Sequence, residues 1–239
     1  MPQISHNELI STVEKAFEAM GLRPGERTEA AEAIGWLERH GLDGLSELIK
    51  ALEHMPAEAQ GQLEERYRDG GLRVFSAGGQ SILCGGGAAI DAALSMACRH
   101  GLATVRIDNC HNRALIAGFL PRAAYRKTGV LACWSNRHQS RLHLVWHSGV
   151  DRFPTLRVQC RPRASSADQS LTLIASRALD LQPNLPPDSS THRLLQAADP
   201  DTMEAAEKKA LKNGLTVSEQ TWAKLKQIAR GVLVDDGLD

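Results

Sequence analysis

Residues 88–136 read AAIDAALSMACRHGLATVRIDNCHNRALIAGFLPRAAYRKTGVLACWSN, and this stretch decides the fold. Ile90, Ala93, Leu94 and Ala97 recur at helical spacing and share one face of a helix over 88–100. Gly101 follows where a helix ends in a left-handed residue. Residues 103–107 form a short β-rich run with the look of a buried strand, and 108–112 make a polar loop. A helical stretch then reaches Lys127, interrupted at Pro121. Gly129 introduces a second apolar strand over 130–134. Two strands joined by a helix predict a parallel pair with a right-handed crossover. His111 stands four residues past Ile107, and in open parallel sheets ligands bind beyond the carboxyl ends of the strands.

Working outward, the first sixty residues read as helices. Ser5 and Glu8 form a capping box, and Leu9, Ile10, Val13, Phe17 and Met20 recur at helical spacing up to Gly21. A second helix is predicted over 28–40, ending at Gly41, and a third over 45–54, closed by Pro56. Residues 58–72 are polar and read as a link between layers. Short strands are expected at 73–76 and 81–84, around Gly78-Gly79. Beyond the central unit, 142–146, 155–160 and 170–174 have strand character, with antiparallel pairing one arrangement open to them, and 182–200 reads as a Pro-, Ser- and Asp-rich loop. A helix over 203–212, a stop at Gly214 and a second capping box at Thr216 and Glu219 close the chain. The expected fold is a single α/β domain, a mixed sheet with a right-handed β-α-β unit packed with N- and C-terminal helices. Its parts are an N-terminal helical part (1–65), an α/β core (66–182) and a linker with C-terminal helices that pack on the N-terminal part (183–239).

Composition narrows the function. The 239 residues carry 28 basic and 28 acidic side chains, so no net charge marks a nucleic-acid or anionic-membrane partner. No apolar run approaches the ~20 residues of a membrane span, and residues 1–11 lack a signal-peptide core, so a cytoplasmic protein is expected. The five cysteines, at 84, 98, 110, 133 and 160, are odd in number and form no C-x-x-C pair. That pattern suggests free thiols in a reducing compartment, with neither a disulfide framework nor a zinc ribbon.

Several residue groups invite chemistry. His111 suits proton transfer, because a neutral imidazole near a helix N-terminus is available as a base; a loop histidine bonded to nearby backbone accounts for the same position. Gly85-Gly86-Gly87 before a helix could cradle phosphate, but lacks both G-x-G-x-x-G and a P-loop lysine, which favours a tight turn. His138, His143 and His147 suggest a metal, yet no carboxylate stands at a suitable spacing. Cys110 beside His111 lacks an orienting third group for a thiolate nucleophile.

The order His100-Gly101, strand, Asp108-Asn109-Cys110-His111, Gly129, strand, Ser135-Asn136-Arg137 resembles the core of the malate/L-lactate dehydrogenase family of the non-Rossmann type, which includes ureidoglycolate and sulfolactate dehydrogenases. In that family a helix ends in His-Gly, an Asn-Ser-x-His loop follows a strand, and a later strand runs into Thr-Asn-Ser. Arg39-His40-Gly41 is similar to its Ser-His-Gly, and 213–229 to its closing helix. The resemblance implies a nicotinamide-dependent oxidoreductase, using NAD or NADP, that acts on a small 2-hydroxy or 2-oxo acid. It makes His111 the acid/base and His40 a second active-site histidine. It also places Asn109, Ser135 and Asn136 along the substrate and cofactor cleft. A homodimer is a further implication. The chain departs from the pattern at Arg39, which replaces Ser, and at Gly44, which replaces an Arg that would clamp a carboxylate. It also lacks the family's Gly-Thr-Asn-Pro and Lys-Gly-rich stretches. These departures favour an alternative: a non-catalytic or repurposed homologue that binds a small molecule or a protein partner.

Overall fold

The chain is described by a computed structural model that covers residues 1–55, 63–136, 140–160, 169–184 and 193–233. Its strands are β1 (Gln3–Ile4), β2 (Glu64–Asp69), β3 (Leu72–Ser76), β4 (Leu102–Asp108), β5 (Gly129–Asn136), β6 (Arg141–His147), β7 (Thr155–Cys160), β8 (Leu171–Ser176), β9 (Leu194–Ala198) and β10 (Leu215–Thr216). The helices are α1 (His6–Ala19), α2 (Pro24–Arg39), α3 (Gly44–Ala51), α4 (Gly86–His100), α5 (Arg122–Tyr125), α6 (Pro200–Asn213) and α7 (Glu219–Ala229). Eight strands form one mixed sheet in the order β2-β3-β4-β8-β5-β6-β7-β9. The fold is α/β, as the sequence predicts.

Helix α4 links β3 to β4, and these two strands pair in parallel from Leu72↔Thr104 to Ser76↔Asp108. This is the adjacent β-α-β unit. The pair read from the sequence, β4 and β5, run in the same direction but do not touch. Strand β8 lies between them, antiparallel to both. Hydrophobic alternation fixes the register. Ala103, Val105 and Ile107 of β4, Leu171, Leu173 and Ala175 of β8, and Val130, Ala132 and Trp134 of β5 are all buried. A one-residue slip would turn every one of them to the other face.

The N-terminal helices form a second layer. Ser5 caps α1, its hydroxyl accepting from the Glu8 amide at 3.0 Å. Leu9, Val13 and Phe17 of α1 are fully buried, each contributing about 2 kcal/mol of apolar burial. Helix α7 packs on α1, and a two-stranded clip, Ile4↔Leu215, ties the start of the chain to its C-terminal helices.

Five local expectations are revised. Residues assigned to a polar link form strand β2, a charged, exposed edge paired only with β3; its alternation is hidden because neither face is apolar. Residues 82–84 form a 3-10 turn, not a strand. The helical stretch after His111 is a 3-10 turn, Arg113–Gly118, followed by the one-turn α5. Strand β9 occupies part of the expected 182–200 loop. The cap of α7 is Ser218, which accepts from the Thr221 amide, rather than Thr216. Pro56, Arg137 and His138 lie outside the described residues, as do 185–192.

Candidate functional site

The loop after β4 is built by two short clasps. Past the β3–β4 ladder, Ala77 donates to the Asp108 carbonyl at 2.9 Å and Gly79 to that of Asn109 at 2.8 Å. The His111 amide then donates to Gln80, and its carbonyl accepts from Ile82. Asn109 (φ 50°) and Asn112 (φ 52°) both adopt the left-handed conformation. Asparagine tolerates that geometry better than most residues, so the chain kinks on either side of Cys110-His111. Cys110 turns inward. Its thiol is buried and pushed up to about 12, chiefly by burial, which makes it a poor nucleophile.

His111 is half-buried and stacks on His54, with ring centroids 3.8 Å apart and planes 12° apart. The same turn positions both rings, because the Ser81 amide donates to the His54 carbonyl at 2.9 Å. Burial, then the neighbouring His54 and Arg113, lowers the His111 pKa below its ordinary value. The ring is therefore neutral near pH 7 and partly open to solvent, as a proton acceptor must be.

His40 meets different surroundings. Only 2% of it is exposed, at the C-terminal end of α2. Its Nδ1 lies 2.6 Å from the Trp36 carbonyl; a carbonyl only accepts, so this nitrogen carries the hydrogen. Trp36 and Phe153 pack on the ring, with centroids at 4.2 and 5.2 Å. Its Nε2 faces Glu207 of α6 at 3.6 Å. That carboxylate, itself buried, also pairs with Arg152 at 2.7 Å and Arg39 at 3.8 Å. Burial is the main influence holding the His40 pKa low. None of the groups around His40 is shared with His111.

The remaining candidates divide between faces. Asn109 is exposed beside Gly79. Ser135 and Asn136 are neighbours on β5 and so point to opposite faces. Asn136 joins Trp134 on the wall of a cavity of about 440 Å³ between α3, the Arg113–Gly118 turn and strands β5–β7. His143 and His147, grouped by the sequence, have separate roles. His143 stacks on Trp134 at 4.8 Å, while buried His147 accepts from the Gly149 amide at 3.0 Å.

Four glycine positions are settled by contact. A Cβ at Gly85 would meet Leu63 at 2.6 Å and one at Gly86 would meet Phe119 at 2.8 Å, while one at Gly87 would run into the Glu29 carboxylate. The Gly85-Gly86-Gly87 turn is thus filled by the chain's own side chains, among them Glu29 and its ion-pair partner Arg122. At Gly44 a Cβ would lie 2.5 Å from the Ile34 carbonyl oxygen and 2.9 Å from the Glu38 nitrogen. No larger side chain fits there without backbone movement.

Sequence reasoning did not single out His54 or Arg113. His54 lies 57 positions before His111, and only the Ser81 clasp brings them together. Arg113, although 7% exposed, reads in sequence as one more charge after a polar loop.

A family model described as "Protein of unknown function (DUF3726)" matches residues 4–110. No curated protein matches the sequence. Solved structures do match the fold. Malate dehydrogenase from Pyrococcus horikoshii OT3 superposes with a TM-score of 0.71 at 9% identity, over 99% of this chain and 97% of that one. Sulfolactate dehydrogenase from Methanocaldococcus jannaschii gives 0.67 at 9% identity, over 96% and 97%. A dehydrogenase from Sinorhizobium meliloti gives 0.67 at 12%, over 95% and 99%. The chain has the fold of the malate/lactate dehydrogenases, in strongly diverged sequence.

Proposed function

We propose that the chain is an oxidoreductase acting on a small 2-hydroxy or 2-oxo acid, with NAD or NADP as redox partner and His111 as acid/base. The observation that carries this reading is the neutral, half-buried His111 imidazole at the carboxyl end of β4, within a dehydrogenase fold. His111 takes the hydroxyl proton as the carbinol carbon is oxidised and returns it in the reverse direction. His54 positions the ring by stacking and, by charge repulsion, adds to the lowering of the His111 pKa. NAD or NADP, when bound, supplies the hydride acceptor. The Gly85-Gly86-Gly87 turn, filled by Leu63, Phe119 and the Glu29–Arg122 pair, does not fit its phosphates, and no residue is assigned to hold them. Asn109 and Ser135 belong to this reading as cleft residues, and His40 enters it through packing of the α2–α6 contact. The reading is tested by titrating the protein with NADH and with NADPH while following nucleotide fluorescence. Saturable binding of either supports it, and binding of neither rejects it.

A second reading, a homologue that binds without catalysing, is favoured by the blocked Gly44 position together with the enclosure of His40 by Glu207. It is rejected if His111→Ala abolishes a measurable turnover in a folded protein.

A further inference from the structure

The cavity beside Asn136 does not include His111 or His54 among its lining residues. Its volume, about 440 Å³, falls in the range of small-molecule sites. Leu115, Leu156 and Val158 supply apolar lining, and Val158 stands beside His143 on the same face of the sheet. Next to them lies a fixed polar network. Arg113, buried at the start of its 3-10 turn, donates to the Ser170 carbonyl at 3.1 Å and to the Asn136 Oδ1 at 2.8 Å. Because a guanidinium only donates, this bond sets the Asn136 amide, whose Nδ2 then points to the His143 Nε2 at 3.3 Å. His143 is thereby held as the tautomer with hydrogen on Nδ1, stacked on Trp134. Arg141 lies on the same wall.

The charge of the lining has a sign. Lys50 and Glu47 pair with each other at 2.5 Å. Of the other charged lining residues among those described, Arg113 and Arg141 outnumber Asp43. Both guanidiniums act on His143, and with burial as the largest cause they push its pKa down to about 4. The lining therefore offers positive charge and a neutral imidazole beside an apolar surface.

We propose that this cavity binds a small monocarboxylic acid, its carboxylate on the Arg141–Arg113–His143 wall and its carbon chain against Leu115, Leu156 and Val158. A carboxylate suits a guanidinium wall because its charge-assisted hydrogen bonds are about twice as strong as neutral ones. Asp43, the lining carboxylate not paired with Lys50, disfavours a second carboxylate. The site goes beyond the oxidoreductase reading, since it requires neither cofactor nor turnover.

The test uses pentanoate as probe, pentanamide as its uncharged isostere and glutarate as the dianion. Binding to the full chain is followed by tryptophan emission, to which Trp134 on the cavity wall contributes, and by calorimetry. Pentanoate is expected to bind saturably below ~10 mM, with pentanamide and glutarate each at least about tenfold weaker. Arg141→Gln, at an exposed position that the fold does not depend on, should weaken pentanoate about tenfold. Trp134→Phe should remove the emission change while calorimetry still registers the heat. His111→Ala should leave pentanoate affinity unchanged, so loss of catalysis and loss of this site are separable. Absence of pentanoate binding, equal affinity for pentanamide, or an unchanged affinity in Arg141→Gln would each overturn the proposal.

Discussion

His40 and His111 each follow the end of a regular element, α2 in one case and β4 in the other, and packing gives them opposite chemistry. His40 is closed in by Trp36, Phe153 and the Glu207 carboxylate and is 2% exposed. His111 is clasped only through its backbone, stacks on one other ring and keeps part of its imidazole in solvent. A buried histidine in an ion-paired cluster stabilises a contact between helices; a half-buried neutral one can exchange a proton. The difference teaches that the position of a histidine along an element does not decide its role. Its neighbours across the fold do.

The contrast can be broken by substitution. The largest effect on stability is expected for His40→Ala, which removes a ring packed between α2 and α6. The expected loss is about 3 kcal/mol, read by urea denaturation, while His111→Ala should cost less than about 1 kcal/mol. Equal losses would erase the distinction. Gly44→Ala comes next. Its Cβ would enter the backbone of α2 at Ile34 and Glu38, and a loss of about 2 kcal/mol is expected; a neutral result would mean that the α2–α3 corner yields freely.

Acid sharpens the same comparison. His6, His40, His111, His143 and His147 all have lowered pKa values, with burial as the largest cause in each, and His143 reaches about 4. A histidine whose folded pKa lies below its unfolded value favours the folded state above the unfolded pKa, and loses that contribution as pH falls towards the folded one. Stability should therefore fall between about pH 6.5 and pH 4, with His143 alone accounting for about 2 kcal/mol after allowance for its partial exposure. His143→Gln should flatten that part of the profile, and an unchanged slope would contradict the assignment. The smallest effect is expected for Glu207→Gln, which keeps the packing of His40 and removes the charge facing Arg152 and Arg39. A loss of about 1 kcal/mol, diminishing with added salt, is expected because Arg152 is largely solvated.

Much of this architecture was legible in sequence because it rests on local patterns. The spacing of Ile90, Ala93, Leu94 and Ala97 identifies α4, Gly101 its end, and the apolar runs at β4 and β5 their buried faces. What could not be read is what forms between distant segments. Strand β8 inserts between β4 and β5, although it follows both in sequence and nothing in their side chains announces a third strand. Strand β2 is written in charged residues because both of its faces meet water. In the candidate site, the place of His111 just past a strand was legible. His54 was not, because its partnership depends on a backbone bond from Ser81. Arg113 looked like a solvated charge, yet it is buried by its hydrogen bonds to Ser170 and Asn136. Gly44 stood out against the arginine that the resemblance implies, and the approach of the Ile34 carbonyl and the Glu38 nitrogen leaves no room for a side chain there.

The most direct test of the account is a turnover comparison of His111→Asn and His40→Asn. Each variant is assayed for reduction of a panel of small 2-oxo acids with NADH and NADPH, alongside thermal melting. With His111 as acid/base, His111→Asn lowers turnover by about a hundredfold or more with its melting temperature unchanged, while His40→Asn melts earlier and keeps its turnover below its melting point. Full activity in His111→Asn, or its loss in a folded His40→Asn, would contradict it.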